Sequence, residues 1–171
     1  KAAIMRRLEL PDTLPVLFEN DAACFALGES WSGSAKGYTR ALSIALGTGF
    51  GSAFLLNGIP LKQGEGVPEG GMLYNVPYKD GIAEEYLSTD WFIRRYRRAT
   101  GEDVQGVKPI YEEALQGDLV SRQVFLEFAD QLAELLMPWL RSFRAECLVI
   151  GGSISKAAAF FLERLKGNLR K

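Results

Sequence analysis

Residues 41–56 constrain this chain more than any other stretch: two short apolar runs, 41–46 and 52–56, flank Gly47-Thr48-Gly49, and a further turn signal, Asn57-Gly58, follows at once. Apolar runs separated by a glycine-rich triplet predict a β-hairpin with a glycine-rich tip. Glycine reaches φ > 0 and has no Cβ to hold a ligand away. Such a tip can therefore turn backbone N–H groups and the Thr48 hydroxyl toward an anion, with phosphate the natural candidate. Most glycine-rich tips only turn the chain, so this one acquires a functional meaning only from its company.

Composition limits that company. The chain has 171 residues, 47% of them hydrophobic, a size that suits one domain or one domain with a small attachment. Twenty basic and twenty-one acidic residues leave a net charge of -1. No basic stripe points to nucleic acid, and no polybasic or amphipathic anchor points to a membrane surface. The apolar runs are short and interrupted, too short to span a bilayer, and residues 1–10 lack the apolar core of a signal peptide. Cys24 and Cys147, in a predicted helix and a predicted strand, make no disulfide framework, which favours a reducing cytoplasm. The absence of histidine excludes Ser-His-Asp and Cys-His relays and most zinc sites within the chain. Proton transfer would fall to carboxylates.

Taken in order, residues 1–10 read as the end of a helix broken by Pro11-Asp12. Residues 14–18 predict a buried strand delivering Glu19-Asn20-Asp21 to a helix over 22–29, so Asp21 stands where an N-cap or a functional carboxylate belongs. Residues 31–40, rich in glycine and small residues, read as a flexible connector, and 57–61 as a third strand. A glycine- and proline-rich loop over 63–78 precedes one predicted helix, 83–100, whose basic end is closed by Gly101. The arginines at 94, 95, 97 and 98 read as a solvated face. A short helix over 110–115 and a long one from Asp118, kinked by Pro138, lead to a strand at 146–150. Gly151-Gly152-Ser153 then opens a last helix over 155–165. A glycine pair between strand and helix lets a flat ligand approach the backbone, although taken alone a plain strand-to-helix turn is the favoured reading.

Asn20-Asp21, the Gly47 hairpin and Gly151-Gly152-Ser153, in this order, resemble the ROK (repressor, open reading frame, kinase) family of the actin-like ATPase superfamily. The resemblance covers most of the chain and implies an α/β, actin-like (ribonuclease H-like) fold. Residues 1–35 would be the C-terminal part of a first lobe and residues 36–171 most of a second, larger lobe, with nucleotide and sugar in the cleft between them. It implies Asp21 as catalytic base, Asn20 as a sugar contact, Gly47, Thr48 and Gly49 at the ATP phosphates, and Gly151, Gly152 and Ser153 at the adenosine. Pro68-Glu69-Gly70-Gly71-Met72 matches the family's Gly-Glu-x-Gly-His, with Met72 in the histidine's place. Gly81-Ile82-Ala83-Glu84-Glu85-Tyr86-Leu87-Ser88 matches Gly-Cys-x-Glu-x-Tyr-x-Ser, with Ile82 in place of cysteine. Glu69 and Glu84 are thereby implied as sugar contacts, alongside Asn20 and Asp21, and the family's structural zinc is not expected.

The family's first phosphate loop, Asp-x-Gly-Gly-Thr, is not found in these residues, and the last strand-and-helix unit after the adenosine segment also looks cut off. The resemblance therefore implies a fragment, inactive alone, of a cytoplasmic kinase that passes the γ-phosphate of ATP, with Mg²⁺, to a hexose or hexose derivative. Its expected partners are a small-molecule sugar and a nucleotide, with a homodimer implied by resemblance only and no membrane or nucleic acid bound by this chain. Two alternatives stand beside the kinase: a sugar-responsive repressor, and a sugar-binding member that has lost catalysis, to which Met72 points.

Overall fold

In the computed structural model residues 2–11, 13–16 and 18–170 are described. The elements follow as α1 (Ala2–Arg7), α2 (Asp21–Ser32), the strands β1 (Arg40–Leu46), β2 (Phe50–Leu56) and β3 (Ile59–Leu61), and a 3₁₀ turn, Glu69–Gly71. Next come β4 (Pro77–Tyr78), β5 (Gly81–Ile82), α3 (Ala83–Leu87), α4 (Thr89–Thr100), α5 (Val107–Gln116) and α6 (Leu119–Phe143). The chain closes with β6 (Cys147–Gly151), a second 3₁₀ turn, Ile154–Ala157, and α7 (Ala158–Leu169).

The main sheet has the order β3-β2-β1-β6. β1 and β2 form the expected hairpin, closed by the pair Leu46 and Phe50, and β6 lies parallel to β1 on its other side. A parallel neighbour requires a long crossover, here supplied by everything from β3 to α6. Both faces of the sheet are covered. Leu42, Ile44 and Leu46 join the main core with Phe54, Phe125, Phe128, Leu132 and Phe161, while Ala41, Ala53, Leu55 and Val149 meet Ala23 and Ala26 of α2. That double cover explains why β1 is apolar on nearly every residue instead of alternating.

Several expectations need correction. The strand over 14–18 does not form among the described residues: Leu14 and Phe18 are exposed and have no ladder partner, and a strand without a neighbour has no hydrogen bonds to hold it. Leu17 and Asp12 lie outside the described residues, as does Lys1. The helix over 83–100 is two helices, because Ser88 is extended (φ −119, ψ 173) and Thr89 restarts the turn. α5 begins at Val107, ahead of the expected 110, since Pro109 falls in its first turn, where no N–H is needed. The long helix expected from Asp118 forms as α6, with Pro138 inside it. The connector after α2 is held by one local and one long-range bond: Ser34 N–H donates to Glu29 Oε2 (2.7 Å), Thr39 N–H donates to Glu146 Oε2 (2.7 Å) just before β6, and Ala35 is buried.

Candidate active site

α2 starts at the site, and its cap is Asn20. The Asn20 Oδ1 accepts from the N–H groups of Ala22 (2.9 Å) and Ala23 (3.2 Å), so Asp21 is the first helical residue and not the N-cap that the sequence suggested. This frees Asp21 from full duty as a cap, although its Oδ1 also accepts from Ala22 N–H (2.9 Å). Before it, Glu19 accepts from Asn20 N–H (2.9 Å) and pairs with Lys62 (3.3 Å). The Asn20 N–H first, and the Lys62 ammonium second, hold the Glu19 carboxyl below the ordinary range. Gly51 lets α2 sit this close to the sheet: a Cβ there would lie 2.9 Å from the Ala22 methyl.

The hairpin tip is pinned from beneath. Gly47 C=O accepts from Thr89 N–H (2.8 Å) and from the Thr89 hydroxyl (2.9 Å), so the first residue of α4 grips the first residue of the tip. Phe50 N–H, on the other side of the tip, donates to Glu84 Oε2 (2.9 Å) from the first turn of α3. The break between α3 and α4 therefore has a use, since it presents two helix starts to one turn. Thr48 is left exposed at the apex.

Asn20, Asp21, Gly47, Thr48, Gly49, Glu84 and Gly152 line one cavity of about 620 Å³, together with Phe25, Ser52, Met72 and Tyr74. A second cavity, of about 600 Å³, is lined by Ser153, Lys156, Thr89, Lys108 and Tyr111. Gly152 and Ser153 thus stand at the edges of two different hollows. Gly151 lines neither; a Cβ on it would run into the Phe25 ring. Glu69 is exposed and also lines neither. Thr89, Phe25, Ser52 and Tyr74 were not singled out in the sequence. Thr89 carried a local signal, a Ser-Thr pair inside an otherwise helical run, whereas the others reach the cavity only through tertiary packing.

The first cavity offers a carboxylate (Asp21) at a helix start, a glycine-rich turn with a hydroxyl at its apex, and polar groups from Asn20 and Glu84. That set suits a polyhydroxy ligand beside a phosphate chain. Among the described residues no three or more Asp, Glu or Cys side chains come together to hold a metal ion. Among the same residues no helix is long and apolar enough to cross a membrane.

The chain is 31% identical to the glucokinase of Halalkalibacterium halodurans over 94% of its own length and 55% of that protein's. It is 30% identical to the N-acetyl-D-glucosamine kinase of Pectobacterium carotovorum over 82% of its length and 52% of that protein's. Among solved structures, the ROK family glucokinase of Streptomyces griseus in complex with glucose and AMPPNP superposes with a TM-score of 0.81 at 25% identity, over 99% of this chain and 61% of that one. The chain thus spans about half the length of the curated relatives it matches. These relatives are sugar kinases, and the chain's α/β fold is that of the actin-like sugar kinases. The ROK family model matches residues 2–171, and the chain belongs to the ROK family.

Proposed function

We propose that the protein to which this chain belongs is an ATP-dependent kinase of a hexose or hexose derivative. The observation that carries the proposal is the meeting of Asn20-Asp21, the Gly47-Thr48-Gly49 tip and Glu84 around one cavity, although they are far apart in sequence. In this reading residues 1–35 close one lobe, residues 36–171 form most of the other, and the cavity lies at their junction.

The chemistry follows from the groups. A sugar hydroxyl, oriented by Asn20 and Glu84, attacks the γ-phosphorus of ATP; a new O–P bond forms as the bond from that phosphorus to the bridging oxygen of ADP breaks. The hydroxyl proton passes to the Asp21 carboxylate. Gly47, Thr48 and Gly49 cradle the phosphates with N–H and hydroxyl donors, and the segment 151–153 borders the nucleoside, with Ser153 in the second cavity. Mg²⁺, arriving on the nucleotide's phosphates, would neutralise charge on them. Glu69 serves the sugar only if it approaches from its exposed position. Replacing Asp21 by Asn in the full-length protein is expected to lower kcat by about 10²–10⁴-fold with sugar affinity within a few-fold of the parent. Unchanged turnover in that variant would remove Asp21 from the mechanism.

A second reading is favoured by Met72, which lines the same cavity. A member with this residue could bind sugar without transferring phosphate. Calorimetric titration with sugars, with and without nucleotide, separates the two: a tight sugar site with no turnover in the full-length protein supports the binding role.

A further inference from the structure

Polar side chains reach the first cavity from the start of α2, from Thr48 and Ser52 of the hairpin and from Glu84, and the segment after the first 3₁₀ turn brings Met72 and Tyr74 to its wall. The backbone there is held on both sides of Met72. Gly71 packs against the Leu61 backbone, Leu73 N–H donates to Ser52 Oγ (2.7 Å), and Tyr74 C=O accepts from Glu84 N–H (2.9 Å). Met72 is extended (φ −123, ψ 138), and side chains alternate along an extended backbone. Leu73 is fully buried, so its neighbours Met72 and Tyr74 turn the other way, to the cavity. Met72 is therefore presented to the cavity from a backbone held in place on both sides.

A thioether donates no hydrogen bond and accepts only weakly, but it is polarizable and packs well against apolar groups. A ligand hydroxyl pressed against it gives up water and gains no partner. A hydrogen, or the methyl that ends an O-methyl or N-acetyl group, gains contact in the same place and has no polar atom of its own to leave unpaired. We infer that Met72 is a specificity-determining residue: it selects a hexose in which the ring position lying against it carries an apolar group in place of a hydroxyl. The inference rests on the sugar reading of the cavity and deepens it by naming the substrate class.

The test uses the full-length protein, calorimetry without nucleotide, and a panel in which each hydroxyl of glucose in turn is replaced by hydrogen, O-methyl or N-acetyl. One ring position should stand out, its apolar replacement binding about tenfold more tightly than glucose, or about 1.4 kcal/mol. Met72→Gln, similar in length but able to donate and accept, should reverse the preference at that position alone, and Met72→Leu should preserve it. The inference is overturned if glucose binds as well as every derivative, if Met72→Gln shifts all ligands equally, or if no sugar binds. Because binding is read without ATP, selective binding with no turnover would sink the kinase proposal and leave this one standing.

Discussion

Gly152 and Gly28 are both glycines near helix α2 or the sheet edge it faces, and alanine at each should act in opposite directions. Gly152 has φ +88, and a Cβ on it would lie 2.6 Å from the Leu46 amide nitrogen and 2.7 Å from its carbonyl carbon. Alanine there combines left-handed strain with a clash against backbone that cannot swing away, so Gly152→Ala should destabilise by about 2–4 kcal/mol. Gly28 sits in the interior of α2, exposed, with nothing within 4 Å of a built Cβ. Gly28→Ala should stabilise by about 0.5–1 kcal/mol through the helix propensity alone. Thermal denaturation of the two variants in the 171-residue chain checks both signs. A Tm that falls in both, or in neither, contradicts the geometry at one of the two positions.

Elements were readable from sequence where local chemistry defines them. The triplet at 47–49 announced the hairpin, Asp118 marks the start of α6 by accepting from Ser121 N–H (2.7 Å), and Gly101 and Gly117 end α4 and α5 in left-handed conformations. What escaped the sequence is what only partners decide. Ser88 breaks a run with good helical periodicity because Thr89 is needed beneath Gly47. Residues 14–18 look like a strand but find no ladder, and the cavity wall at Phe25, Ser52 and Tyr74 is assembled from three separate segments. The arginines of α4, read as a solvated face, are also partly engaged: Arg95 forms a two-pronged pair with Glu127 of α6 (2.5 and 2.7 Å), at the rim of the Trp91, Phe92 and Phe128 cluster. The Arg95 guanidinium holds the Glu127 carboxyl below its ordinary value of 4.5. A carboxyl depressed in the folded state contributes stability above the unfolded value and loses it as pH falls through the folded one. Glu127→Gln should therefore cost about 0.5–1 kcal/mol at pH 7, and the gap from the parent should close as urea melts are repeated at falling pH below 4.5. A gap that does not change with pH would mean that Glu127 acts by packing and not by charge.

On the scale of the whole molecule, α2 decides how far this chain can act by itself. Ala22, Ala23 and Ala26 lie against the sheet, while Cys24, Leu27, Gly28 and Trp31, spaced to share one helical face, are exposed, Trp31 at 84%. Asp21 stands at the start of that helix and is itself exposed. A carboxylate in open water is a poor base for phosphoryl transfer, because the competing nucleophile is everywhere and the phosphate charges stay screened. The 171-residue chain should thus show no measurable ATP-dependent phosphorylation of glucose or N-acetylglucosamine in a coupled assay, even though the hairpin tip and its supports at Glu84 and Thr89 are in place. The full-length protein should turn over under the same conditions. Robust turnover by the short chain would mean that the Asp21 cavity needs no further cover, and the exposed face of α2 would then have no bearing on catalysis.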